Sequence, residues 1–189
     1  MNIAFLTPFA FVAAAAVLPL TVQAQQAVVP AQSEIRFVSK QMGVPVEGRF
    51  KTFSAQINFD PAKLATSKIA FTVDTGSVDI GPEANAELPK PVWFNVAKFP
   101  QATFQSSRFQ RTAAGKFEVA GKLSIKGVSS DVTVPVTLTQ NGATTLAVGT
   151  FPIKRLVFRI GEQEWSDTSM VADDVQVSFK IALTGVPKL

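Results

Sequence analysis

Few side chains in this sequence are suited to catalysis near neutral pH. Its 189 residues include no His, no Cys and no Tyr. The missing His and Cys exclude Ser–His–Asp triads, thiol nucleophiles, histidine- or thiolate-bound metals and disulfides. Ser, Lys and carboxylates remain for proton transfer or nucleophilic attack. The net charge of +4 is far below that of the dense basic surface that nucleic-acid binding requires.

Acidic side chains are concentrated near the C-terminal end of the chain, as Glu162, Glu164, Asp167, Asp173 and Asp174. A calcium loop supplies about six to eight oxygens at a characteristic spacing, which this segment lacks. Nothing in the sequence supports a carboxylate pair for glycoside chemistry either. We interpret the segment as a solvated acidic loop and expect no metal site and no cofactor.

Several cationic side chains are candidates for contact with a phosphate or another polar head group: Lys40, Arg49, Lys98, Arg155 and Arg159. Ordinary solvated charge is the alternative for each of them. Arg155 differs from the others because it shares the parity of Phe151 and Ile153, which aims its side chain at the apolar face. A buried guanidinium needs a partner, and the candidates are Asp167, Asp173 and Asp174.

Residues 1–24 have the pattern of a secretory signal peptide. No charged side chain precedes Glu34, the segment is largely apolar, and Val22 and Ala24 occupy the small-residue positions before a cleavage site. An uncleaved membrane anchor is the alternative, but Pro8 and Pro19 would weaken such a helix. We therefore expect cleavage after Ala24, export to the periplasm, and one folded domain over residues 25–189.

The exported part alternates between apolar and polar side chains with a period of two, which is typical of antiparallel strands with one dry face. Seven segments show this alternation clearly: 34–37, 53–60, 69–74, 102–105, 117–126, 131–139 and 174–183. Less regular strands are expected over 44–51, 144–152 and 153–160. Asn141-Gly142 is a strong hairpin signal. About eight to ten strands in one domain predict a barrel or a sandwich.

Two irregularities interrupt the strand pattern. The apolar parity slips between Phe50 and Phe53, which predicts a bend or bulge. Residues 81–100 contain four prolines and form a long connection, with a short helical turn expected at 93–98. Its aromatic residues Trp93, Phe94 and Phe99 could form a mouth or a plug at one end of the sheet, and Trp165 carries the same ambiguity.

The apolar face of the predicted strands is unusually rich in phenylalanine. An eight-stranded barrel can hold either a solid side-chain core or one small ligand, and the parity does not choose between them. A lining of Phe without Tyr or His suits a hydrocarbon better than a sugar or a nucleotide. Charged side chains on the opposite parity argue against an outer-membrane barrel, since they would face lipid.

The sequence resembles the YceI-like family of bacterial polyisoprenoid-binding proteins over residues 33–184. The resemblance rests on runs that occur in order along the chain: Ser33-Glu34-Ile35-Arg36-Phe37, Lys40-Gln41-Met42-Gly43, Val46-Glu47-Gly48-Arg49-Phe50, Ile57-Asn58-Phe59-Asp60-Pro61, Trp93-Phe94-Asn95-Val96-Ala97-Lys98-Phe99-Pro100, Gly121-Lys122-Leu123-Ser124-Ile125-Lys126-Gly127 and Trp165-Ser166-Asp167-Thr168. Gln41 stands where the family often has His. A titrating imidazole is therefore absent there, although an amide can still form hydrogen bonds.

The resemblance implies an all-β fold, a single lipocalin-like eight-stranded antiparallel barrel whose apolar tunnel holds a long isoprenoid chain. The ligand would be a polyprenyl alcohol or phosphate, or an isoprenoid quinone. Gln41, Arg155 and Arg159 are the head-group candidates. The expected tunnel contacts are Phe37, Phe50, Phe53, Phe59, Phe71, Trp93, Phe94, Phe104, Phe117, Leu123, Phe151, Trp165 and Phe179.

A carrier without catalytic activity is the function we expect, with the isoprenoid as its partner and no nucleic acid. An isoprenoid-modifying enzyme and an accessory of a membrane redox or stress system are the alternatives. The mild positive charge permits brief contact with an anionic membrane surface. The sequence leaves open whether the protein is a monomer or a homodimer. Exposed strand edges could pair two barrels, but closure of the barrel would remove those edges.

Overall fold

The computed structural model describes residues 25–189, so the expected signal peptide at residues 1–24 lies outside it. Within this range a single antiparallel sheet contains eleven strands. Their bounds are β1 (Ala27–Val28), β2 (Glu34–Gln41), β3 (Val44–Phe50), β4 (Phe53–Asn58), β5 (Lys68–Asp74), β6 (Val78–Asp79), β7 (Gln101–Ala113), β8 (Lys116–Ile125), β9 (Val128–Asn141), β10 (Thr144–Lys154) and β11 (Asp174–Thr184). Short 3₁₀ turns occupy Pro30–Gln32, Leu64–Thr66, Thr75–Ser77, Arg155–Phe158 and Gln163–Ser166.

The sheet closes on itself as an up-and-down barrel. Each long strand pairs with the next along the chain, and β11 pairs with β2. The strand order runs from β4 round to β3 and the short β6 that pairs with it, and β3 and β4 are joined by only Lys51 and Thr52. Counting β3 with β4 as one bent strand and β5 with β6 as its bent partner, and leaving out the two-residue β1 that pairs only with β11, gives eight strands. The expected eight-stranded antiparallel barrel is thereby confirmed.

The bend between β3 and β4 lies where the parity of the sequence slips, as predicted. The backbone of Lys51 donates to the Ser77 carbonyl at 3.1 Å, and that of Asp74 donates to the Thr52 carbonyl at 3.0 Å. These bonds satisfy backbone groups that the bend removes from the ladder. The strand can thus change direction and pair with β2 at one end and with β5 at the other.

Because successive strands alternate in direction, four connections lie at one end of the barrel and three at the other. The end that we call the open end holds the β2–β3 turn, the long connection from β5 to β7, the β8–β9 turn and the loop from β10 to β11. The opposite end, the closed end, holds the β4–β5 loop, two hairpin turns and both ends of the described chain. The Asn141-Gly142 turn is one of those hairpins, as expected.

At the open end the expected helical turn at 93–98 is present, with the backbone of Phe99 donating to the Asn95 carbonyl at 2.8 Å, whereas the prediction of a strand over 153–160 was wrong. The α-helix α1 spans Pro82–Glu87, with Pro82 in its first turn, and residues 93–98 form hydrogen-bonded turns. The strand expected over 153–160 ends at Lys154, and the chain continues as a 3₁₀ turn over Arg155–Phe158. Side-chain bonds of Arg155, described below, hold the chain in this turn.

Two clusters of buried apolar side chains lie at the two ends of the barrel. The closed-end cluster consists of Phe59, Phe109, Phe117, Val119, Ala147, Ile181, Leu183 and Val186. The cap cluster, at the open end, consists of Val78, Trp93, Phe94, Ile125, Phe158, Ile160 and Val171. Between these clusters the interior is hollow. No helix within residues 25–189 is long and apolar enough to cross a membrane.

Candidate functional site

The interior of the barrel contains a cavity of about 440 Å³, a size typical of small-molecule sites. It extends along most of the barrel, because Val175 and Leu183, at opposite ends of β11, both line it. Those residues are eight positions apart, which is roughly 26 Å along a strand. The polar or charged side chains in its wall are few: Ser39, Gln41, Glu83, Glu87, Thr145 and Arg155. The cavity is therefore an elongated apolar chamber.

Cross-strand pairs of glycine and phenylalanine keep this chamber open. Gly48 pairs with Phe37 across β3 and β2, and Gly149 pairs with Phe179 across β10 and β11. A Cβ atom at either glycine would collide with the ring of the paired phenylalanine. The rings therefore lie against the wall, in the space that the glycines leave free. Bulky Phe residues can thus line the barrel without filling it.

The mouth of the cavity lies at the open end. Of the side chains that line the cavity, only Gln41, Glu83 and Glu87 are exposed. Gln41 ends β2 and forms a bridge with Val171, while both glutamates belong to α1. A ligand with its tail in the chamber would therefore place its polar end among an amide and two carboxylates.

Arg155 is buried, with 2% of its surface exposed, and it organises the loop from β10 to β11. All five N–H donors of its guanidinium reach backbone carbonyls, at distances of 2.6–3.0 Å. These carbonyls belong to Ala172, Ile160, Gly161, Trp165 and Val171. Burial lowers the pKa of Arg155, and the nearby Asp173 carboxylate opposes this shift. The side chain is a structural hub with no donor left for a ligand.

A second buried cation fastens the same loop to the barrel. Lys126, in the β8–β9 turn, donates to the Arg159 carbonyl at 2.6 Å and to the Glu162 carboxylate at 3.0 Å. One carboxylate of the acidic loop is therefore paired with a buried ammonium group, while the Glu162 side chain itself stays 44% exposed. Within residues 25–189, no group of three acidic side chains is placed to hold a metal ion.

Both tryptophans of the sequence lie in the cavity wall at the open end. Trp93 and Trp165 are in contact, with their ring centroids 5.3 Å apart and their planes tilted by 45°. Trp93 and Phe94 are buried in the cap cluster and also line the cavity, so they form part of its wall beside the mouth. The indole N–H of Trp93 is buried without a hydrogen-bond partner. Two aromatic residues of the long connection, Trp93 and Phe94, therefore narrow the open end without being exposed at the mouth.

The structure brings most of the predicted contact residues to one surface. Twelve of the thirteen line the cavity, and the exception is Phe53, which packs against the closed-end cluster. Gln41 lies at the mouth, as a head-group residue would. Arg159 is exposed and does not line the cavity. Arg155 does line the cavity, but its five donors bond backbone carbonyls rather than the carboxylate partner that we expected. Since no donor is left for a ligand, Arg155 is not a head-group residue.

Sequence reasoning missed the two glutamates of the mouth. The signal for them was weak, because α1 is only six residues long and its periodicity cannot be read. The Pro82-Glu83 pair, a proline followed by an acidic residue, is nevertheless a helix-start pattern that could have placed α1.

Comparison with known proteins agrees with this geometry. The model of the YceI-like domain matches residues 27–183. The chain belongs to the YceI-like family. A structure of Burkholderia cenocepacia BcnA is 49% identical, with a TM-score of 0.79 over 82% of this chain and 98% of that one. The YceI protein of Campylobacter jejuni is 26% identical, with a TM-score of 0.66 over 72% of this chain and 83% of that one.

Three further proteins are similar to this chain. A UPF0312 protein of Vibrio parahaemolyticus is 33% identical over 127 residues, which is 65% of this chain and 67% of that protein. A UPF0312 protein of Yersinia enterocolitica is 36% identical over 110 residues, and that match spans 57% of each chain. A polyisoprenoid binding domain from Saccharophagus degradans has a TM-score of 0.69 over 86% of this chain and 99% of that one, at 16% identity. This last likeness establishes the shared fold.

Proposed function

We propose that this YceI-like protein holds a long isoprenoid lipid in its barrel and carries it through the periplasm without altering it chemically. The observation that supports this most is the elongated apolar cavity with its polar groups gathered at one mouth. A sugar or nucleotide would leave its hydrogen-bonding groups unpaired in such a chamber. The description of the Saccharophagus domain as polyisoprenoid binding supports the same class of ligand.

The tail would supply most of the binding free energy. Drug-sized ligands gain about 0.3 kcal/mol per heavy atom after ordering costs. A tail of about forty carbons would then gain on the order of 12 kcal/mol, which corresponds to nanomolar affinity. Because the tail is uniform hydrocarbon, the mouth would distinguish one isoprenoid from another.

Transport without catalysis fits the side chains around the chamber. The titratable groups of the cavity wall are the two mouth glutamates and Arg155, and the guanidinium is fully bonded to backbone. No nucleophile with an adjacent base faces the tail. Incubating the protein with polyprenyl lipids or quinones and analysing them by chromatography should return them unchanged, and a new product would favour the enzymatic alternative.

Intrinsic fluorescence gives a direct binding test, because both tryptophans line the cavity. Titrating delipidated protein with a polyprenol should change the emission with a saturable curve at one ligand per chain. Phe104→Ala, in the wall, should weaken this binding several-fold. Val148→Ala, on the exposed outer face of β10, is the matched control and should not. No saturable change with any isoprenoid would contradict the proposed function.

A further inference from the structure

The polar groups at the mouth limit the kind of head group that the cavity accepts. Glu83 and Glu87 are both exposed and both line the opening, while Gln41 and the half-buried Ser39 are its neutral polar groups. An ionised carboxylate only accepts hydrogen bonds, whereas an amide both donates and accepts. The mouth therefore offers good acceptors for a hydroxyl group and repels negative charge.

The cations closest to the cavity lining are already engaged, and the open-end cations without an ion pair within residues 25–189, Lys40, Lys98 and Arg159, do not line the cavity. Arg155 is the basic residue in the cavity wall, and its five donors bond backbone carbonyls. Lys90 pairs with Glu87 on α1. Arg49 and Lys51 both pair with Asp79, on the short strand that precedes α1. A phosphate seated in the mouth would thus meet acceptors and negative charge in the cavity lining, whose one cation among the described residues, Arg155, has no donor to spare.

We propose that the mouth selects isoprenoids with an uncharged, hydroxyl-bearing head group, such as a polyprenol or a quinol, over polyprenyl phosphates. This inference rests on the proposed function. A phosphomonoester carries close to two negative charges at neutral pH. Its repulsion by the mouth carboxylates weakens binding by at least about tenfold relative to an alcohol with the same tail. The hydroxyl group, in contrast, donates a hydrogen bond to a carboxylate of Glu83 or Glu87.

The test compares one polyprenol with the monophosphate of the same polyprenol, so that the tail contributes equally. Binding is followed by tryptophan fluorescence at low salt, where electrostatic effects are largest. The test variant is Glu83→Gln combined with Glu87→Gln, which removes both charges at nearly constant shape and frees Lys90 from its ion pair. Glu118→Gln, on the exposed outer face of β8, is the matched control.

The wild-type protein and the control should bind the alcohol at least about tenfold more tightly than the phosphate. The double variant should bring this ratio close to one by strengthening phosphate binding, with the alcohol changed by less than about threefold. Equal or tighter binding of the phosphate by wild type overturns the selectivity, and so does an unchanged ratio in the double variant. If neither lipid binds, the proposed function itself fails.

Discussion

Replacing Gly48 by alanine should narrow the cavity from its wall. The added Cβ would lie within 3 Å of three ring atoms of Phe37, with Cε1 at 2.8 Å, and no backbone atom is among these nearest neighbours. Ordinary contact begins at 3.4 Å, so the ring must move inward by more than about 0.6 Å. Phe37 packs on Phe50 with a centroid distance of 5.5 Å, which limits sideways escape. The ring therefore enters the chamber.

This overpacking should destabilise the barrel by about 1–3 kcal/mol. For a domain of this size, each kcal/mol lowers the melting temperature by roughly 2–4 °C. If the displaced ring excludes two or three ligand carbons, at about 0.3 kcal/mol each, isoprenoid affinity should fall about three- to fivefold. Thermal melts and fluorescence titrations measure the two effects separately.

Two controls isolate the cause of this effect. Gly76→Ala, in a turn outside the cavity, adds a Cβ that meets only Asp74 and Val96 at 3.2 Å, and it should leave affinity unchanged. Adding Phe37→Leu to Gly48→Ala removes the ring and should restore part of both losses, since neighbouring substitutions couple. A Gly48→Ala protein with unchanged stability and affinity would refute the claim that glycine positions keep the chamber open.

Three further predictions concern the loop, the tail and pH. Arg155→Lys keeps the charge but supplies only three donors for five carbonyls, so thermal unfolding should show that the free energy of unfolding falls by about 2–5 kcal/mol. A fall of less than about 1 kcal/mol would contradict the role of Arg155 as a structural hub. Lengthening a polyprenol by one five-carbon unit should tighten binding about tenfold, until the tail fills the chamber and the affinity measured by calorimetry reaches a plateau. An affinity that does not change with tail length would contradict tail-driven binding. Without His or Cys, stability should vary little between about pH 5.5 and 9. Hydrogen bonds from Asn85 and Arg49 lower the pKa of Asp79. The contribution of Asp79 to the free energy of unfolding is therefore complete above the ordinary carboxylate pKa and is lost as acid protonates the group. A melting temperature that changes steeply near pH 7 would contradict this account.

The barrel was readable from the sequence because its signal is local. Alternation within β8, β9 and β11 assigns each side chain to a face without any knowledge of neighbouring strands. The bend between Phe50 and Phe53 was readable for the same reason, as a slip in parity. Most of the cavity wall follows from that face assignment.

The remaining features depend on contacts between distant segments. The strand expected over 153–160 ends early because Arg155 bonds carbonyls up to 17 residues away, and nothing in the local pattern announces such partners. Phe53 has the parity of the lining residues yet packs beside the bend. The hollow interior depends on the register that sets Gly48 opposite Phe37, and register between strands is not visible in a single sequence.

The most direct test of the central claim is mass spectrometry of an organic extract from the protein, purified natively from the periplasm without detergent. The account predicts one isoprenoid species near one molecule per chain, with an uncharged head group. A folded protein whose extract is empty, and which takes up no added polyprenyl lipid or quinone, would contradict it and would make the chamber a feature of packing alone.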